Sequence, residues 1–182
     1  MKKEGQVSEI DMMARVADSA AQRAGARLVL MCGISGSGKT SLLQAMESEL
    51  GYRRVSMDEI IWDRYGELFT QMSAAERAEV FLTASRELEQ RTEAALLSTP
   101  DARVVVDATM CKSVRRRAMR GLAARCGTVA LVVYLQAPPA VLRARLSHRC
   151  GLGPHDQIIP DADLTDFCRN FQPPQSAHLL LL

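Results

Sequence analysis

Short apolar runs alternate along this chain with longer stretches in which apolar residues recur every three or four positions. The first periodic stretch opens at Ser8, with Asp11 three residues on, and carries Ile10, Met13, Val16, Ala17 and Ala20 as far as Gly25. Residues 27–33 are almost wholly apolar after Arg27, the signature of a strand buried on both faces of a parallel sheet. A glycine-rich turn follows, then a helix predicted over about 39–50 and closed by Gly51. Residues 53–57 predict a second, weaker strand. Ser73 and Glu76 form a capping-box pattern before a long helix with Val80, Phe81, Ala84, Leu88 and Ala95 on its apolar face, stopped at Pro100 and Asp101. A third strand is predicted over 103–106, ending at Asp107, a basic helix over about 113–126, and a fourth strand over 129–135. Pro138 and Pro139 open a helix reaching to about Arg149. Beyond Cys150 the chain is rich in Gly, Pro and Asp and shows no clear period, and 178–182 fits either a short edge strand or a docked tail.

Strands alternating with helices predict an α/β fold with a mainly parallel sheet. No repeat or linker divides the chain, so 1–26 is expected to be a helix packed on a single domain spanning 27–182. A length of 182 residues, 47% hydrophobic and 24% charged, provides one sizeable core and excludes disordered and rod-like classes. No apolar run approaches the roughly 20 residues of a membrane span, and no apolar h-region marks a secretory signal. The five cysteines are scattered without a Cys-x-x-Cys pair, which argues against a zinc site or a disulfide framework and for reduced thiols in the cytoplasm. A net charge of +2 is too small for a generally basic nucleic-acid binder, although arginine outnumbers lysine 19 to 4.

The turn after the first strand carries the candidate chemistry. Gly33-Ile-Ser-Gly-Ser-Gly-Lys-Thr40 matches the phosphate-binding pattern G-x-x-x-x-G-K-[ST], between a strand and a helix as that pattern requires. Its glycines let successive backbone N–H groups point inward at phosphate oxygens, and the helix start adds a positive dipole end. Gly33, Ser35, Gly36, Ser37, Gly38, Lys39, Thr40 and Ser41 are therefore the candidate nucleotide-binding residues. Lys39 is expected on the β- and γ-phosphates and Thr40 on Mg²⁺.

Other residues decide what is done with the nucleotide. Asn170 is the only asparagine and Phe171 follows it, so the Asn-Lys-x-Asp base-reading motif of guanine-nucleotide switches is missing. Asp107 is followed by Ala108, without the water-activating Glu of ATPase motors. Phosphotransfer is favoured by this elimination, and Asp58 adds positive support. Asp58 and Asp107 both follow predicted strands, and ligands of open α/β sheets gather at the carboxyl ends of strands. A carboxylate there can accept the proton of an attacking hydroxyl. Asp107 is expected to help hold Mg²⁺ together with Thr40.

Taken in order, the loop 33–40, Val-Ser-Met-Asp58, Val-Val-Val-Asp107-Ala-Thr109, residues 141–149 and Phe171-Gln-Pro-Pro174 resemble the small AAA-like, P-loop kinase-type ATP-binding proteins. That group is similar to polynucleotide 5′-hydroxyl kinase, zeta toxin and chloramphenicol phosphotransferase, and the likeness covers about 27–174. It implies a P-loop NTPase fold of three α/β/α layers with the nucleoside-monophosphate-kinase-like strand order 2-3-1-4. It implies Asp58 as the acceptor-side base and Arg145 or Arg149 as part of a lid over about 138–160. Four residues apart on the predicted helix, Arg145 and Arg149 would share a face and could bring charge to a transferring phosphoryl group.

This chain also departs from its relatives. Ile61 and Met110 stand where they often carry Arg and Asn, so a more apolar acceptor pocket is expected. Arg116 matches the family's distant arginine and is a candidate for holding an anionic acceptor, and Trp62 a candidate for lining the pocket. The basic helix lacks interleaved aromatic residues for base stacking, which disfavours nucleic acid. The expected activity is ATP- and Mg²⁺-dependent transfer to a hydroxyl of a small molecule. The alternative is an ATP-binding module or slow ATPase that works with a macromolecular partner.

Overall fold

A computed structural model describes residues 8–155, 158–175 and 179–181. Helix α1 (Glu9–Ala24) starts where Ser8 and Asp11 exchange side-chain and backbone hydrogen bonds, and it ends on left-handed Gly25. Strand β1 (Ala26–Cys32) leads through the glycine loop into α2 (Lys39–Leu50). Then come β2 (Arg53–Ser56), α3 (Met57–Tyr65), the short α4 (Leu68–Gln71), and α5 (Ala74–Leu97) behind the Ser73–Glu76 capping box. Strand β3 (Val104–Asp107), α6 (Ser113–Arg125), β4 (Val129–Tyr134), α7 (Pro139–Leu146), α8 (Asp161–Asn170) and β5 (Leu179–Leu181) complete the described fold.

The sheet order is β2-β3-β1-β4-β5, parallel at every pairing, as the resemblance implied and with the terminal leucines as a fifth edge strand. Because side chains alternate along a strand, β1 sends Leu28, Leu30 and Cys32 to one face and Val29 and Met31 to the other. The first face packs on α3, α5 and α6 through residues such as Ile61, Leu88 and Leu122. On the second, Ala14, Ala17 and Ala21 of α1 and Leu42, Leu43 and Met46 of α2 close the core. Every strand thus runs in the same direction, and all the loops after them open onto one edge.

Three expectations need correction. The second strand ends at Ser56, not Met57, because the Ser56 hydroxyl accepts a hydrogen bond from the Glu59 N–H and starts α3. The helix opened by Pro138 and Pro139 stops at Leu146, with Ser147 N–H donating to the Arg143 carbonyl at its end. Arg149 therefore lies in the following turn and does not share a helical face with Arg145. Residues 161–170, which show no clear period in sequence, form α8, with Leu164 buried against Leu142 and Leu146.

Candidate active site

The glycine loop has the conformation its sequence demands. Gly33, Gly36 and Gly38 all have positive φ, at 154°, 85° and 98°. A Cβ on Gly33 would lie 2.7 Å from both the Leu135 carbonyl oxygen and Ser37 Oγ. Gly38 stands at the N-cap of α2, where no side chain caps the helix and no acid occupies the first turn, so the positive end of α2 faces the cleft uncompensated. The buried Ser37 hydroxyl has no hydrogen-bond partner. An orphaned donor beside uncapped helix amides suits an anion, and a triphosphate fits this cradle.

Lys39 is 7% exposed, and its Nζ donates to the Ile34 carbonyl at 2.9 Å. Burial pushes its pKa down, while the Asp107 carboxylate works against that shift. Asp107, at the carboxyl end of β3, is 4% exposed. Burial raises its pKa against the pull of His155, Lys39, Arg54 and a hydrogen bond with Thr40. One of its oxygens, Oδ2, lacks a hydrogen bond and lies 3.6 Å from Arg54 Nη1. A hard cation would find oxygen donors here in Thr40 and Asp107, which is the chemistry Mg²⁺ favours.

Asp58 occupies the first turn of α3, one element later than expected but on the same rim, since Ser56 pairs with Asp107 across β2 and β3. Its pKa is raised to about 6, first by burial and then by the neighbouring Asp107 charge, with His155, Lys39 and Arg149 opposing. The loop, Lys39, Asp58, Asp107, Arg145 and Arg149 all line one cleft of about 1980 Å³. Arg145 donates to the Gly36 carbonyl at 2.9 Å and so ties α7 directly to the loop.

Two candidates lie elsewhere. Arg116 is 4% exposed and spends its guanidinium on the Met110 carbonyl at 2.7 Å and the Pro173 carbonyl at 3.4 Å, strapping the chain after α8 to the end of β3. Trp62 lies on α3 outside the residues that line the cleft, and Ile61 is core. Met110 does face the cleft, in a left-handed backbone conformation with φ 46°. Arg77, Lys112 and Arg115 also line the cleft, as do Phe69 and Phe81, an edge-to-face pair with ring centroids 5.5 Å apart.

Sequence reading also missed a polar cluster behind Asp107. Arg54 bonds Glu59 at 2.5 Å and Glu47 at 3.1 Å, while His155 Nε2 lies 3.1 Å from Glu59 and 3.2 Å from Arg54. The only sequence hint was an arginine inside a strand otherwise heading for the core. His155 comes from the stretch after α7, about 100 residues away along the chain. Cys32, just before the loop, donates its thiol to the Met110 carbonyl and has a pKa pushed up to about 11 by burial, so it is an inert packing residue.

Residues 28–174 match the family model described as AAA domain. A shikimate kinase from Chlorobium phaeovibrioides is 29% identical over 122 residues, which is 67% of this chain and 57% of that protein, so the chain spans little more than half the length of this curated relative. Among solved structures, a gluconokinase from Sinorhizobium meliloti superposes with a TM-score of 0.57 at 20% identity, over 87% of this chain and 81% of the other. Kti12 from Chaetomium thermophilum, solved with ADP-AlF3, gives a TM-score of 0.63 at 17% identity over 85% and 88%. At such identities the two structures speak for the fold, while the family match spans the loop, Asp58, Asp107, Arg145 and Arg149. With its parallel 2-3-1-4 core and its glycine loop, this chain belongs to the AAA-domain family, as an AAA-like P-loop kinase-type protein.

Proposed function

We propose that the protein transfers the γ-phosphoryl group of ATP to a hydroxyl of a small molecule. The observation that carries this reading is the position of Asp58, a carboxylate with pKa near 6 on the same cleft as Lys39 and Asp107. A base poised just below neutral pH can accept the acceptor's proton as the O–P bond forms, and the leaving ADP takes the electron pair of the bond that breaks. Loop amides, Lys39 and the end of α2 hold the phosphates. Thr40 and Asp107 would hold Mg²⁺, which when bound neutralises phosphate charge. Arg145 and Arg149 add guanidinium groups over the loop and exclude water.

The acceptor side is basic and aromatic, with Arg77, Lys112 and Arg115 beside Phe69 and Phe81. This supports an alcohol with an anionic group on an apolar body. The nucleic-acid reading is disfavoured because the arginines of α6 have no aromatic residues interleaved among them for base stacking. The test is ADP formation with Mg²⁺ and ATP across a set of carboxylate-bearing, phosphate-bearing and neutral alcohols. Acceptor-dependent turnover that Asp58→Asn abolishes, with ATP affinity nearly unchanged, is the expected result. Strong turnover without any acceptor would instead favour an ATPase working with a macromolecular partner.

A further inference from the structure

Helix α1 lies outside the residues that match the family, yet it reaches the cleft. Only Gly25 separates α1 from β1, so the helix runs antiparallel to the strand and its first turn stands at the edge that carries the glycine loop. There Glu9, Ile10 and Met13 line the same cleft as Ser41 and Gln44 of α2 and Pro138 and Val141 at the start of α7. Ile10, Met13, Pro138 and Val141 are the apolar members of that set. Ile10 is 41% exposed and Val141 37%, although the buried side of the same helix, at Ala14, Ala17 and Ala21, is almost fully closed. Apolar side chains in the same cleft as a phosphate cradle match the polarity pattern of a nucleotide, with charge at one end and a flat ring at the other.

We infer that the first turn of α1 and the start of α7 form the two walls of the nucleobase slot, with Ile10 and Met13 against one face of the ring and Val141 and Pro138 against the other. The occupant is the base of the same nucleotide whose phosphates the loop holds, so the inference rests on the ATP-binding reading above. Glu9 and Gln44, on the rim of the slot, meet the polar edge of the base. The helix that precedes the matched family region thus serves as part of the nucleotide site as well as a cover for the sheet.

The test measures binding of ATP, GTP and inorganic tripolyphosphate, each with Mg²⁺, to the full chain by calorimetry. Ile10→Ser and Met13→Ser should each weaken nucleotide binding about tenfold, through lost apolar contact, and leave tripolyphosphate binding unchanged. Met12→Ser, on the same helix, 57% exposed and off the cleft, should change neither and controls for helix stability. Equal weakening of nucleotide and tripolyphosphate, or no weakening at all, would overturn the assignment. A parent chain that binds tripolyphosphate as tightly as ATP would also overturn it, while leaving the phosphate cradle standing. A parent that binds neither refutes the cradle and the slot together.

Discussion

Asp58, the proposed base, works against the fold when it is ionised. Its pKa is raised from 3.8 to about 6, so folding favours its protonated form. That contribution is fully present below pH 4, is lost as the pH rises through about 6, and leaves the ionised carboxylate a burden at neutral pH. Asp58→Asn should therefore raise stability at pH 8 by on the order of 2 kcal/mol, an advantage that vanishes near pH 4 in urea titrations. Activity runs the other way: the base works only when ionised, so the kcat of the parent should rise with pH through about 6. A profile flat from pH 5 to 8 would remove Asp58 from the base role. Gly33 carries the second residue-level prediction. An added Cβ would meet the Leu135 carbonyl and Ser37 Oγ at 2.7 Å, so Gly33→Ala should distort the loop and cost about 2 kcal/mol or more, with loss of ATP binding by calorimetry.

At the scale of elements, the cluster around Arg54 fastens β2, α2, α3 and the stretch after α7 to one another. Arg54 is 12% exposed and faces Glu47, Glu59 and the 4% exposed Asp107. Arg54→Met leaves those carboxylates without their shared cation. It should cost about 3 kcal/mol in denaturant unfolding, and the loss should be much smaller in Arg54→Lys. The glycine loop, the capping boxes at Ser8 and Ser73, and most strands were legible in the sequence because their causes are local: backbone freedom, side-chain caps and apolar runs. The end of the helix after Pro139 was not. Nothing in 143–149 breaks a helix, and the chain turns after Leu146 because Leu142 and Leu146 are taken up by packing against α8 and Gly36.

For the molecule as a whole, the loop, Asp58 and Asp107 meet because parallel strands deliver all their carboxyl ends to one edge. Among the described residues no helix is long and apolar enough to cross a membrane. Ligand binding to the native state should be visible in bulk stability. At Mg²⁺-ATP concentrations 100-fold above Kd, stabilisation of about 2.7 kcal/mol should raise the Tm by about 5–10 °C. Lys39→Ala should abolish that shift without lowering the Tm of the free protein, since burial of its ammonium, which donates to the Ile34 carbonyl, carries a desolvation cost large enough to push its pKa down.

The sequence by itself determined the α/β layering and the glycine loop, and singled out Lys39 and Asp58 as catalytic candidates and Asp107 as a metal candidate, because each depends on a short run of residues whose chemistry acts where it stands. Only the tertiary structure decided which arginines face the cleft. Arg116 matches the family pattern but turns inward to the Met110 and Pro173 carbonyls, whereas Arg77, Lys112 and Arg115 line the cleft. Spacing along a helix says which residues share a face. It does not say what that face meets, and a guanidinium takes its role from the carbonyls, carboxylates or open space that distant segments bring to it.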